Sequence, residues 1–181
     1  MVAVNSTMLP LGTPAPGFRL PDTNGKTVSL SDFKHAPALL VVFMCNHCPY
    51  VLAWLDRLVA IAQDYAVQGV AFAGINANDP AKYPADSFEG MQELARERRL
   101  PFPYLHDASQ EVARAYGAER TPEIFMFDAD LKLCYHGAPD DNYDEPQARV
   151  PYLRNALDAM LAGRKPPEAE TPAVGCTIKW K

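Results

Sequence analysis

A continuous apolar run, ALLVVF, occupies residues 38–43, and only Met44 separates it from a closely spaced pair, Cys45 and Cys48. Such a run, with no polar alternation, marks a strand buried on both faces of a sheet. Directly beyond it the period changes. Val51, Leu52, Leu55, Leu58, Val59 and Ala62 recur at helical spacing, and Gly69 offers a stop. A doubly buried strand feeding an amphipathic helix needs more sheet beside it and more helices over it. The cysteines sit at the junction.

The rest of the chain supplies those partners. Residues 18–30 read as a β-hairpin around Asn24-Gly25, a dipeptide suited to a type I′ turn. Residues 70–75 form a second buried strand. Asp86 followed by Glu89 resembles a capping box that opens a helix running to about Arg99. A short helix is expected over residues 110–116, ending at Gly117. Residues 123–127 and 132–136 read as a hairpin turning at Asp128-Ala129-Asp130, and Val150, Leu153, Leu157, Met160 and Leu161 mark a last helix stopped by Gly163. The expected architecture is α/β: one domain over residues 1–163, with a central mixed sheet, helices on both faces and an N-terminal hairpin extension. Residues 164–181 form a Pro-containing tail. Val174, Ile178 and Trp180 are too apolar for free solvent, so the tail is expected to dock.

At 181 residues the chain can bury a sizeable core. Its net charge of −5, with no run of Lys or Arg, argues against nucleic acid as a partner. No stretch approaches the roughly 18 apolar residues of a membrane helix, so no membrane partner is expected. The N-terminal MVAVNSTMLPLG lacks the basic and apolar regions of a signal peptide. A cytoplasmic location is the resulting expectation. Four cysteines are too few for a disulfide scaffold. A close pair in a reducing compartment points to redox or metal chemistry instead.

At a helix N-terminus, unpaired N–H groups and the helix dipole favour an anion. A thiolate there can fall from about 8.5 into the roughly 3.5–7.5 range, becoming a nucleophile at neutral pH. On this reading Cys45, at the exposed end, attacks, and Cys48, one turn further in, resolves the mixed disulfide. Pro49 is tolerable so early in a helix. His47 either tunes the Cys45 thiolate or is a plain solvated histidine. Asn76, Asn78 and Asp79 follow a buried strand, where open α/β sheets bind ligands; they line a substrate groove or satisfy their own loop. His35, His106 and His136 read as isolated, and Cys134 as an inert buried cysteine. Cys176 in the tail is held by docking or serves as a third redox thiol. The rival to exchange is a Cu(I) or zinc carrier built on Cys45 and Cys48, although no second pair completes a tetrahedral site. No metal or other cofactor is expected.

Three segments carry a family resemblance. APGFRLPDTNGKTVSLSDF is similar to the N-terminal hairpin of the alkyl hydroperoxide reductase/thiol-specific antioxidant (redoxin) branch of the thioredoxin-like superfamily, VVFMCNHCPYV to its active-site strand and helix, and RTPEIFMFD to its cis-proline strand. With CNHCPY, GINAND and a terminal GCTIKW, the chain resembles bacterial peroxiredoxin-like thioredoxin proteins over nearly its whole length. The resemblance implies a thioredoxin-like fold and thiol–disulfide exchange with protein or small-thiol substrates, fed by an electron donor. It also implies a cis bond at Thr121-Pro122, packed against the cysteines and presenting Thr121 to a substrate strand. The chain departs from peroxiredoxins, whose peroxidatic cysteine corresponds to Cys48. Their supporting Thr or Ser and Pro correspond to Cys45 and Val41, and the activating Arg to Pro122. Ordinary peroxidase activity is therefore not expected. Thioredoxins carry a buried acid at the position of Leu39, so proton handling must come from elsewhere.

Overall fold

The computed structural model describes residues 9–145, 147 and 150–181. Most of MVAVNSTMLPLG lies outside them. In chain order the elements are β1 (Arg19–Pro21), β2 (Thr27–Ser29), β3 (Ala38–Phe43), α1 (Pro49–Ala66), β4 (Ala71–Asn76), α2 (Phe88–Glu97), β5 (Tyr104–His106), α3 (Glu111–Tyr116), β6 (Arg120–Thr121), β7 (Glu123–Asp128), β8 (Leu133–Gly137), α4 (Tyr152–Leu161) and β9 (Cys176–Thr177). Five strands form the central sheet in the order β5-β4-β3-β7-β8. β3 pairs parallel with β4 and antiparallel with β7, which makes the sheet mixed. This is the thioredoxin-like arrangement.

Strand β3 shows why its sequence lacks alternation. Leu40 and Val42 join one core with α1, α2 and α4, whereas Leu39, Val41 and Phe43 join a second with α3 and the β1–β2 hairpin. Successive side chains point to opposite faces, and both faces are covered. Helix α1 buries Val51, Trp54, Leu55, Leu58, Ile61, Ala62 and Tyr65. Each large side chain among them contributes about 1.5–3 kcal/mol of burial. Truncating Leu55, which has no exposed surface, removes about 2–5 kcal/mol.

Two local expectations need correction, and one strand went unforeseen. Gly25 has φ +86° but Asn24 lies outside the left-handed region, so the first hairpin does not turn by type I′. Its turn closes from Gly25 N–H to Asp22 O, with Asp22 N–H bonded to Lys26 O. Next, α2 is capped by Ser87, whose Oγ accepts from Gly90 N–H at 3.1 Å, and not by Asp86. Finally, β5 was not legible: three residues are too short for a period. The stops at Gly117 and Gly163 do adopt positive φ, 65° and 73°, as a helix C-terminus favours. No helix among the described residues is long and apolar enough to cross a membrane.

Candidate functional site

At the end of β3 the chain holds its register through Met44 N–H to Ile75 O, then leaves the sheet. Helix α1 begins only at Pro49, and Cys48 is its N-cap. Proline suits that first position because its missing N–H would have had no intrahelical partner. The pair therefore straddles the helix terminus. Cys45 lies in the preceding loop, not on a first turn, and neither cysteine has exposed surface. This corrects the expectation of an exposed Cys45 with Cys48 one turn deeper.

Both sulfurs meet Thr121. Cys45 Sγ lies 3.4 Å from Thr121 Oγ1, and Cys48 Sγ lies 3.3 Å from Thr121 O. The Thr121–Pro122 peptide that follows is cis. All four cysteines are free thiols.

Beside Cys45 stands a group that the sequence did not reveal. Asp86 is wholly buried. Its carboxylate accepts from Asn46 N–H at 2.7 Å, Asn78 Nδ2 at 2.9 Å and Asn76 Nδ2 at 3.3 Å. His47 Nδ1 lies 2.5 Å from Asp86 Oδ2, without hydrogen-bond alignment. The His47 ring stacks on Tyr83 with centroids 4.7 Å apart. Tyr104 Oη donates to Asn46 Oδ1 at 2.7 Å and closes the network. A buried carboxylate survives only with such donors around it. Asn76 and Asn78, expected to line a substrate groove or to satisfy their own loop, are buried members of this cradle, and Asn76 Oδ1 accepts Asn78 N–H at 3.0 Å within that loop. Asn78 Oδ1 also accepts Lys179 N–H from the tail. The one available signal was the polar Asn76-Ala77-Asn78-Asp79 cluster directly after a strand.

This layout divides the two thiols. Cys48 is lowered from 9.0 to about 4: the Cys45 thiol donates to it, burial opposes, and the Cys176 thiol together with the Val51 and Cys176 N–H groups add further donors. Cys45 is pushed up by its bond to Cys48, by burial and by the negative charge of Asp86. The pair ionises as a unit, and its negative charge settles on Cys48. The ordering differs from the expected Cys45 thiolate because the helix N-cap is Cys48 and the acid stands beside Cys45. His47 lies against Asp86 and within 4.8 Å of Cys45 Sγ, so it borders both the carboxylate and the sulfur.

The other residues singled out from the sequence fall elsewhere. His136 is not isolated: its Nε2 lies 2.8 Å from Glu123 Oε1, both side chains buried. His106 stacks on Phe88, and burial lowers its pKa. Cys134 is half-buried, and burial raises it to about 12, away from reactivity. In the tail, β9 pairs antiparallel with β6, setting Thr121 opposite Cys176. Ile178 is buried in the second core, and Arg114 lies over the Trp180 ring at 5.0 Å. One possible ligand atom from each of Cys45, His47 and Asp86 falls within 4.8 Å of the others. Asp86, however, already accepts three hydrogen bonds, and the trio is one ligand short of the four that a structural zinc site uses, so it fits a hydrogen-bond network better than a metal site.

The sequence matches the AhpC/TSA family over residues 11–136. A crystal structure of an uncharacterized conserved protein from Geobacillus kaustophilus is 47% identical with a TM-score of 0.91, covering 100% of this chain and 97% of that one. Among curated proteins, chloroplastic peroxiredoxin Q of Triticum aestivum is 31% identical over 59% of this chain and 45% of its own length. The thiol-disulfide oxidoreductase ResA of Geobacillus thermodenitrificans is 26% identical over 70% of this chain and 68% of its own. The chain thus spans less than half of the wheat relative.

Proposed function

The chain belongs to the AhpC/TSA family, and from that premise we propose that it is a thiol–disulfide oxidoreductase working through the Cys45–Cys48 pair. One observation carries the reading: two free thiols flanking the N-terminus of α1 both contact Thr121, at the end of β6. Cys48 supplies the thiolate that attacks a client disulfide, displacing one client sulfur as thiolate. Cys45 then gives up its proton and attacks Cys48 Sγ, releasing the second client sulfur and leaving a Cys45–Cys48 disulfide. Asp86, with an oxygen within 4.8 Å of Cys45 Sγ, receives that proton directly or through one water. The clients are protein or low-molecular-weight disulfides in a reducing compartment, the cytoplasm in our reading, and a separate thiol donor restores the dithiol.

Insulin reduction with dithiothreitol as donor tests this. Wild type accelerates it, and Cys48→Ser abolishes the acceleration. Full activity in Cys48→Ser together with loss in Cys45→Ser reassigns the attacking thiol to Cys45, and activity in neither wild type nor variant removes the proposal.

A second reading, thiol peroxidase, draws support from the low Cys48 pKa, because Cys48 stands at the peroxidatic position of the family. Against it, Cys45 and Pro122 replace the groups that activate peroxide. Peroxide consumption measured beside insulin reduction separates the two.

A further inference from the structure

Two residues of the tail, β9, lie against β6, the segment that ends at the cis-proline. Arg120 pairs with Thr177 and Thr121 with Cys176, while Arg120 Nη1 donates to Gly175 O at 3.1 Å and Ile178 N–H to Glu119 O at 2.8 Å. Gly175 is packed so tightly on Thr121 that any Cβ there would collide with the Thr121 carbonyl. Beyond the strand, Lys179 is held at both backbone groups: its N–H by Asn78 Oδ1, its carbonyl by Asp79 N–H and Gln110 Nε2. An extended client adds to a protein through this same kind of edge pairing. The tail therefore fills the place where a client backbone would pair, and it brings a thiol with it. Cys176 packs on the buried cluster that contains Cys45 and Cys48.

We infer that Cys176 is a third catalytic thiol, which exchanges with Cys48 when β9 is docked and so takes the client-releasing step ahead of Cys45. The inference rests on the exchange reading above. Because Cys48 has no exposed surface with the tail in place, a client reaches it only after β9 lifts from β6. The Cys48 thiolate then forms a mixed disulfide with one client sulfur. When β9 returns, Cys176 attacks Cys48 Sγ, its proton passing to the departing client sulfur. The Cys48–Cys176 bond forms, the Cys48–client bond breaks, and the client sulfur leaves as a thiol. Attack by Cys45 on Cys48 next converts this disulfide into Cys45–Cys48 and returns Cys176 to the thiol. That step is an isomerisation without net electron transfer. Two internal disulfides thus share Cys48.

The test uses full-length Cys45→Ser protein treated with oxidised glutathione, acid-quenched, alkylated and mapped without reduction. A peptide linking Cys48 to Cys176 is expected, and it is lost in Cys45→Ser/Cys176→Ser, where Cys48 remains glutathionylated. Gly175→Val in the Cys45→Ser background keeps the thiol but lifts the strand, and the linked peptide should fall. An undiminished yield there overturns the role of docking. A fully alkylatable Cys176 beside a stable Cys48–glutathione adduct overturns the third-thiol role alone, provided that wild type consumes oxidised glutathione. Wild type that leaves oxidised glutathione untouched overturns the exchange reading and this inference with it. Time-resolved mapping of wild type, with a transient Cys48–Cys176 peptide expected and its absence counting against the role, covers the case in which Cys45→Ser does not fold.

Discussion

Asp86 and Glu123 are both buried carboxylates facing one imidazole, and each lies a few contacts from Thr121, yet they do different work. Glu123 and His136 are about equally enclosed, with side chains 2% and 1% exposed. Glu123 Oε2 accepts from Glu119 N–H at 2.7 Å and Arg120 N–H at 3.0 Å, so it anchors the backbone leading into the cis-proline and the β6 edge that receives the tail. Asp86 instead gathers Asn46 N–H and two asparagine side chains, faces a His47 that is 26% exposed, and stands beside a reacting sulfur. One pair holds a segment in place. The other directs charge within the dithiol. What separates them is the neighbour: backbone N–H groups for Glu123, a thiol for Asp86.

The comparison can be broken most directly at Glu123. Glu123→Ala leaves His136 and two backbone donors without their acceptor, and should cost about 3–5 kcal/mol in urea denaturation of the reduced protein. Its exchange rate per folded molecule should change far less. A stability loss smaller than that of Asp86→Asn would erase the distinction.

Asp86→Asn comes second. It keeps the shape of the cradle but removes the proton acceptor beside Cys45, so the exchange rate should fall about 10²-fold, with melting affected less than in Glu123→Ala. Wild-type rates would remove Asp86 from the proton path. The same variant should bring the Cys45 pKa down, since a repelling charge is gone, readable as thiolate absorbance appearing at lower pH.

A smaller effect lies in pH linkage. Cys48 has a folded pKa of about 4 against an ordinary 9.0, so between those values the unfolded chain binds the extra proton and stability rises with pH. The stability advantage of reduced wild type over Cys48→Ser should therefore grow from about pH 4 to pH 9, be fully present above that, and vanish as pH falls through 4. A flat difference across this window contradicts a thiolate at the N-cap.

The smallest effect separates Asp86 from its neighbour. Ser87→Ala removes the true α2 cap and should cost about 1 kcal/mol, with exchange unchanged. An exchange defect as deep as that of Asp86→Asn would mean that the two residues act as one unit.

Much of the fold was legible in the residues themselves. The apolar run of β3, the helical spacing of α1 and α4 and the glycines at positions 117 and 163 each report a local backbone state, and a local state leaves a periodic trace in the sequence. The placement of Cys45 and Cys48 at a strand–helix junction followed from that trace, as did Thr121-Pro122 before β7. Asp86 shows the limit. Three residues before Glu89 it matched a capping pattern, while its actual partner Asn46 N–H comes from 40 residues away.

By itself, then, the sequence determined which segments are strands and helices, which faces they bury, and that a dithiol stands at a helix N-terminus. Only the tertiary structure decided that Cys48 rather than Cys45 is the N-cap, that an acid from another loop stands beside Cys45, and that the terminal strand lays Cys176 along Thr121. The physical reason is range. Hydrophobic period and turn chemistry act between near neighbours along the chain, whereas the charge a sulfur holds depends on which buried donors and carboxylates distant loops bring to it.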